Sequence, residues 1–362
     1  MQLAFDEQIF AIQAYGGISR MFSELARQYV QDPSLGVELE PLRAPIVNRY
    51  ILDNAEVTAA LQVQEAGSTY QALARYFTRR RPGVHVDVVH NTFYLPHGLA
   101  GYPKAKRVVT IHDMIPERMP KTRRRLDFIT RKHRYVELAD HVICVSAATR
   151  DDLLRTYPSV TAPITVVHHG VDPVFTPGAP RWADLPADYV LFVGNRSQYK
   201  DAAVLLRAFS ALARDYPDLT LLFIGGGRFT RAETSLIREL ALQSRVQQRT
   251  VPDAEMSAAY GNARMCVFPS RFEGFGLPAL EAMACGTPTV LARATSLPEV
   301  GGEAAAYFEP GHAGELTAIM RTILDDDHEA ARLGAAGVAR ATQFSWGRSA
   351  RETAAVYEST LK

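Results

Sequence analysis

The stretch MCVFPSRFEGFGLPALEAMACGTPTVLA, Met265 to Ala292, reads as strand, turn, helix and strand again. MCVFPS is a short apolar, β-rich run, and TPTVLA is another. Between them, the two glycines of RFEGFG allow backbone conformations that other residues resist. Pro278 suits the first turn of a helix, where its missing N–H costs nothing. LPALEAMACG then continues as that helix. The turn therefore presents backbone amides and a positive dipole end at the carboxyl side of a strand, a natural seat for a phosphate. Glu273 and Glu281 flank it. Two readings stand side by side. In one, Glu281 complements the helix dipole and Glu273 is a solvated loop residue. In the other, the two carboxylates reach different parts of one ligand on either side of a diphosphate.

The same alternation extends outward in both directions. QLAF, VELEPL, VDVVHN, RVVTIHD, HVICVS and ITVVHHG read as strands in the first half, with helices such as GGISRMFSELARQYV between them. YVLFVG, LTLLFIGGG, MCVFPS, TPTVLA and AAYFEP read as strands in the second half, again separated by helical patterns. Strand and helix in alternation imply parallel sheets covered on both faces. A chain of 362 residues exceeds one ordinary core. The expected organisation is an α/β protein of two Rossmann-like domains facing across a cleft. The domains are residues 1–172 and 188–345, joined by the proline-rich linker 173–187. A last helix, 346–362, is expected to pack back on the first domain.

Composition narrows the class. With 47% hydrophobic and 22% charged residues, the chain is ordinary for a globular protein. Its net charge of +1 gives no global drive toward nucleic acid. No apolar run approaches the roughly 18 residues that span a bilayer, and MQLAFDEQIF lacks the basic leader of a signal peptide. Cys144, Cys266 and Cys285 sit in apolar segments at spacings that match no metal site, which points to buried, reduced thiols and a cytoplasmic setting. No Walker, G-x-S-x-G or H-E-x-x-H sequence occurs.

FEGFGLPALEAMACGTPTV resembles the E-x7-E signature of retaining glycosyltransferases, specifically glycosyltransferase family 4, the group 1 glycosyltransferases of GT-B fold. The resemblance implies that Glu273 contacts a donor sugar and Glu281 the ribose hydroxyls of its nucleotide. The amides around Phe275, Gly276 and Leu277 would meet the diphosphate. YVLFVGNRSQYKD resembles the family's Arg…Lys pair, which assigns Arg196 and Lys200 to the leaving diphosphate. Two fixed cations there would neutralise charge on a departing nucleotide; on this segment alone, a pair of solvated cations is the other reading. Many family members have one more residue between the two cations, and Asp201 stands where Gly or Asn is common.

Further family landmarks follow. Gly16 and Gly17 open a helix where the family carries a glycine loop beside donor and acceptor. His112, in VVTIHDMIPE, matches a histidine near the donor sugar, and Asp113 orients its loop. Val251 and Asp253 fall where the family seats the nucleobase. Glu299 in TSLPEVGG serves a ligand or the structure equally well. Adjacent His168 and His169 point apart on a strand and leave an acceptor contact open.

The resemblance implies a retaining, metal-independent transferase with no cofactor. It would move sugar from a nucleotide-diphosphate sugar to a glycan or lipid-linked acceptor, in cell-surface polysaccharide synthesis. A nucleotide-sugar epimerase of GT-B fold and a non-catalytic nucleotide-sugar-binding protein are the rivals. RMPKTRRRLDFITRKHRY packs many cations into a helical pattern, with Leu126, Ile129, His133 and Val136 on one face. It reads as a solvated face or as a contact with an anionic membrane at the inner leaflet, and YFTRRRPG adds cations in the same domain.

Overall fold

The apolar runs of the sequence become the strands of two parallel sheets. The computed structural model describes residues 1–69, 71–73, 85–96, 98–119 and 123–362; YFTRRRPG lies outside them. The chain divides into two compact units. Unit 1 comprises Met1–Gly170 and Trp346–Lys362, and unit 2 comprises Val171–Ser345.

The sheet of unit 1 contains β1 (Gln2–Phe5), β2 (Glu38–Leu39), β3 (Val88–Asn91), β4 (Lys106–Ile111), β5 (His141–Cys144) and β6 (Ile164–Val166), in the order β2-β1-β3-β4-β5-β6. Every pairing is parallel. The helix Trp346–Leu361 is tied to this core by buried hydrogen bonds. His90 on β3 meets Tyr357 Oη through Nδ1 (2.7 Å) and Thr110 Oγ1 through Nε2 (2.8 Å). Tyr29 Oη donates to the carbonyl of Ala350 (3.3 Å). Buried polar groups satisfied in this way fix one arrangement of the helix on the sheet.

Unit 2 contains β7 (Tyr189–Val193), β8 (Thr220–Ile224), β9 (Val246–Arg249), β10 (Met265–Phe268), β11 (Thr289–Ala292) and β12 (Ala306–Phe308), in the order β12-β11-β10-β7-β8-β9, all parallel. The chain runs from β7 outward through β8 and β9, then returns to place β10 on the other side of β7. That reversal makes the carboxyl ends of β7 and β10 the ligand-binding edge of such a sheet. Leu191 sits between Cys266 and Leu222 in register, and all three are fully buried. A strand covered on both faces reads as a continuous apolar run, which is why these strands are visible in the sequence. β9 carries the run VQQR and escapes that reading. It pairs only with β8, as an edge strand, and of its four residues only Val246 is buried.

Residues 173–187 belong with unit 2. Phe175 packs edge-on against Tyr260, Leu185 is buried, and Arg181 Nη2 donates to the carbonyl of Pro186 (2.8 Å). All three cysteines are buried and free. The basic stretch forms the helix Arg123–Glu137, but its faces differ from the sequence reading. Leu126 is exposed, whereas Lys132 is only 1% exposed. Its ammonium donates to the carbonyl of Asp113 (2.5 Å) and pairs with Glu117 (3.1 Å). One cation of the run therefore serves the interior, because the turn after β4 offers it a carboxylate and a carbonyl. No helix among the described residues is long and apolar enough to cross a membrane.

Candidate functional site

In unit 2 the loop after β10 leads into the helix Leu277–Ala284 as the turn signals require. Gly276 is the N-cap at φ 107°, in the region that disfavours side chains, and Pro278 occupies the first turn. A Cβ at Gly276 would lie 3.0 Å from Leu297 Cδ2. The loop is pinned from β11's side. The amide of Glu273 donates to Thr295 Oγ1 (2.8 Å), and Ser296 Oγ donates to the carbonyls of Glu273 (3.1 Å) and Phe275 (2.9 Å). Thr295 and Ser296 were invisible as site residues in the sequence. They lie some twenty positions away along the chain, and only the β10–β11 pairing brings them near.

Two sequence-assigned residues come together here. Lys200 Nζ donates to Glu273 Oε1 at 2.5 Å, and both side chains are mostly buried. Lys200 ends a short 3-10 turn, Gln198–Lys200, after β7. Asp201 follows at φ 49°, ψ 42°. Gly and Asn favour this left-handed conformation, and Asp tolerates it; here its Oδ2 also accepts from Arg271 Nε (2.6 Å). The departure at this position thus keeps the backbone that the usual residues would give.

Glu281 lies in the helix and is buried, 8% exposed, and Tyr260 Oη donates to its Oε2 at 2.8 Å. Burial, followed by the Glu281 charge, holds the Tyr260 phenol protonated well above its usual 10, so it remains a donor at every working pH. Of the residues assigned to a base, Val251 is buried and Asp253 exposed, at the start of the crossover from β9 to β10. Glu299 sits in the helix Leu297–Gly301, and its carbonyl accepts from Arg340 Nη2 (2.6 Å).

Arg196 does not join Lys200. Its Nε donates to Glu233 Oε1 (2.7 Å), its Nη1 to the carbonyl of Gly225 (2.8 Å), and its Nη2 to those of Gly227 (2.8 Å) and Arg228 (3.0 Å). The side chain is 3% exposed. Its donors are therefore directed at Glu233 and the glycine loop rather than beside Lys200. The residue is turned toward the loop after β8.

In unit 1, His112 follows β4 at the carboxyl edge of the sheet. It is 8% exposed, and among the described residues neither ring nitrogen has a hydrogen-bond partner. Burial, then the neighbouring His169, holds it neutral, well below the usual 6.5. A buried polar group left unpaired costs about 1–3 kcal/mol. Gly16 caps the helix Gly17–Gln31, and the Gln13 side chain folds over it to accept from the Ser19 amide (3.2 Å). Asp6, at the end of β1, accepts from the Thr92 amide (2.9 Å), Thr92 Oγ1 (2.7 Å) and Asn91 Nδ2, a saturated structural cluster.

Residues 15–175 match the sequence profile described as Glycosyltransferase Family 4, and residues 183–340 match Glycosyl transferases group 1. The chain is 30% identical to the MMP alpha-(1->4)-mannosyltransferase of Mycolicibacterium hassiacum, over 91% of this chain and 85% of that protein. It is also 30% identical to O-antigen chain mannosyltransferase B of Escherichia coli, over 74% and 72% of the two chains. Among solved structures, Anabaena HepE in complex with UDP-glucose superposes with a TM-score of 0.73 at 17% identity, covering 99% of both chains. At that identity the likeness concerns the fold, here two Rossmann-like domains. The chain belongs to the group 1, family 4 glycosyltransferases and has their GT-B fold.

Proposed function

We propose that this glycosyltransferase takes its sugar from a nucleotide-diphosphate sugar bound on unit 2 and transfers it with retention of configuration. The observation that carries the reading is the Lys200–Glu273 ion pair standing beside the Gly276 turn, with Glu281 held by Tyr260 on the helix that follows. Two neighbouring loops of unit 2 thus collect a cation, helix N-terminal amides and two carboxylates, the set a sugar, diphosphate and ribose require. The complexes of HepE with UDP and with UDP-glucose support a donor of this class.

In this reading Lys200 exchanges Glu273 for the diphosphate when donor binds, and the Leu277 end of the helix adds its dipole. Glu273, released, accepts from sugar hydroxyls. Glu281 accepts from the ribose, and Val251 and Asp253 border the base. His112 contributes an imidazole to the donor sugar. The bond between the anomeric carbon and the β-phosphate oxygen breaks. The acceptor hydroxyl attacks from the same face, and its proton passes to the departing phosphate oxygen. Lys200 stabilises the charge that develops there, so the step calls on no metal. Arg196, committed to the glycine loop, is assigned no contact with the diphosphate.

The acceptor belongs to unit 1. An open groove of about 470 Å³ there is lined by Leu95, Pro96, Leu99, Leu138, Arg131 and Arg134, among others. Apolar walls with two guanidinium groups suit a lipid-linked anionic acceptor, and a chain working at the inner face of a membrane in polysaccharide assembly. The Escherichia coli relative is an O-antigen chain mannosyltransferase, which supports a polysaccharide setting. Calorimetry of Glu281→Ala with nucleoside diphosphates tests the donor site. Affinity should fall at least tenfold, and unchanged affinity would remove Glu281 from its role.

A further inference from the structure

The loop after β8 is built from Gly225, Gly226 and Gly227, at φ 88°, 71° and 67°. Three successive residues in the left-handed region need glycine throughout. Their carbonyl side is occupied. The Arg196 guanidinium binds the carbonyls of Gly225, Gly227 and Arg228 while its plane lies over Phe229, 4.7 Å from the ring centroid. Glu233 completes the arrangement. Its Oε1 accepts from Arg196, and its Oε2 accepts from the Thr230 amide (2.7 Å) in the capping box that starts the helix Arg231–Glu239. Burial opposes the Glu233 charge, but the bonds from Thr230 and Arg196 outweigh it and hold its pKa below the usual carboxylate value. One carboxylate thus fixes both a helix start and a guanidinium.

The amide side of the loop is different. Gly226, Gly227 and Arg228 are exposed, and among the described residues their amides donate to no protein acceptor. The loop stands at the carboxyl end of β8, next to β7, on the edge where a sheet of this topology takes its ligand. A leaving-group clamp needs donors aimed at the developing charge. Arg196 has four of its five N–H donors spent on Glu233 and the loop.

We propose that Arg196 is a positioning residue which, together with Glu233, sets the shape of the Gly225–Gly227 loop so that the amides of Gly226, Gly227 and Arg228 donate to oxygens of the nucleoside diphosphate. The proposal rests on unit 2 being the donor site. It separates the two cations of the loop after β7 by role. Lys200 meets charge in the reaction, and Arg196 shapes the binding surface.

The test uses the full chain with Glu233→Gln, Arg196→Lys and the double variant. UDP, GDP and ADP are titrated by calorimetry, and steady-state rates are measured with the matching nucleotide sugar. Each single variant should weaken diphosphate binding and raise the donor KM by about tenfold, the loss of one charge-assisted bond. In both, kcat should stay within about threefold. The double variant should be no worse than Arg196→Lys, because the two residues act as a unit. A purely structural role would lower the melting temperature and leave KM unmoved. A fall in kcat of a hundredfold with unchanged KM in Arg196→Lys would make Arg196 a clamp after all. Wild-type KM in Glu233→Gln would also overturn the proposal. Gly226→Ala gives an independent check, since its Cβ would stand 2.7 Å from Arg196 Nη1. It should raise KM likewise, and normal KM in a folded variant counts against the loop. If the wild-type chain binds none of the three diphosphates, the donor reading itself fails, and this proposal with it.

Discussion

Replacing Tyr260 with phenylalanine removes one oxygen atom from the interior of unit 2 and leaves Glu281 without the donor that holds its Oε2 at 2.8 Å. The ring keeps its place against Phe175, so the change is close to isosteric. A hydrogen bond to a charged group contributes about 1.5–3 kcal/mol. Part of the loss appears as stability and part as affinity, since a carboxylate no longer fixed must be ordered by the ligand. A loss of about 1.4 kcal/mol in binding is tenfold in Kd. The assay that separates these effects compares a nucleoside diphosphate with its 2′-deoxy and 3′-deoxy forms in calorimetry. Wild-type protein should prefer the ribonucleotide. In Tyr260→Phe that preference should shrink by about tenfold while the weaker deoxy form is barely affected. Equal losses for the ribo and deoxy forms, or an unchanged preference, would refute the idea that Tyr260 acts through Glu281 on the ribose.

Lys200→Ala should reduce kcat by about a hundredfold or more with little change in donor KM, the pattern for a group that acts on charge developed in the transition state; near-normal turnover in single-turnover kinetics would remove it from the leaving-group role. Acid should destabilise the chain through unit 1. Burial holds His90 and His169 down to about 3 and His112 well below 6.5. The unfolded chain therefore binds more protons between about 3 and 6.5, so the stabilisation is full above that window and is lost as pH falls through it. His90 alone should account for about 2 kcal/mol between pH 7 and pH 5, and urea unfolding with equal free energies at the two pH values would contradict this.

The sequence was most legible where burial is complete. The strands of both sheets that lie between neighbours appear as apolar runs, and the glycine turn with Pro278 announces its helix. β9 was illegible because an edge strand with one buried residue of four carries no apolar run. The resemblance to family 4 assigned Glu273, Glu281 and Lys200 to one ligand, and all three lie in unit 2. It did not say that Lys200 and Glu273 would pair, since that depends on where two loops from neighbouring strands end. Tyr260, Thr295 and Ser296 went unnoticed because each acts through an atom contributed by a distant segment. Arg196 was read by its neighbour in sequence, whereas its direction is set by Glu233 and three carbonyls on the next strand's loop. Lys132 was counted among surface cations for the same reason. Helical periodicity cannot show that the facing turn supplies Glu117 and the Asp113 carbonyl.

The most direct measurement is release of nucleoside diphosphate from a panel of nucleotide sugars, GDP-mannose and UDP-glucose first, with and without saccharide and lipid-linked acceptors. One donor should give release that rises when acceptor is added and disappears in Lys200→Ala. Absence of release from every donor with every acceptor, or conversion of the donor to an epimer in acceptor-free buffer, would contradict transfer from a nucleotide-diphosphate sugar.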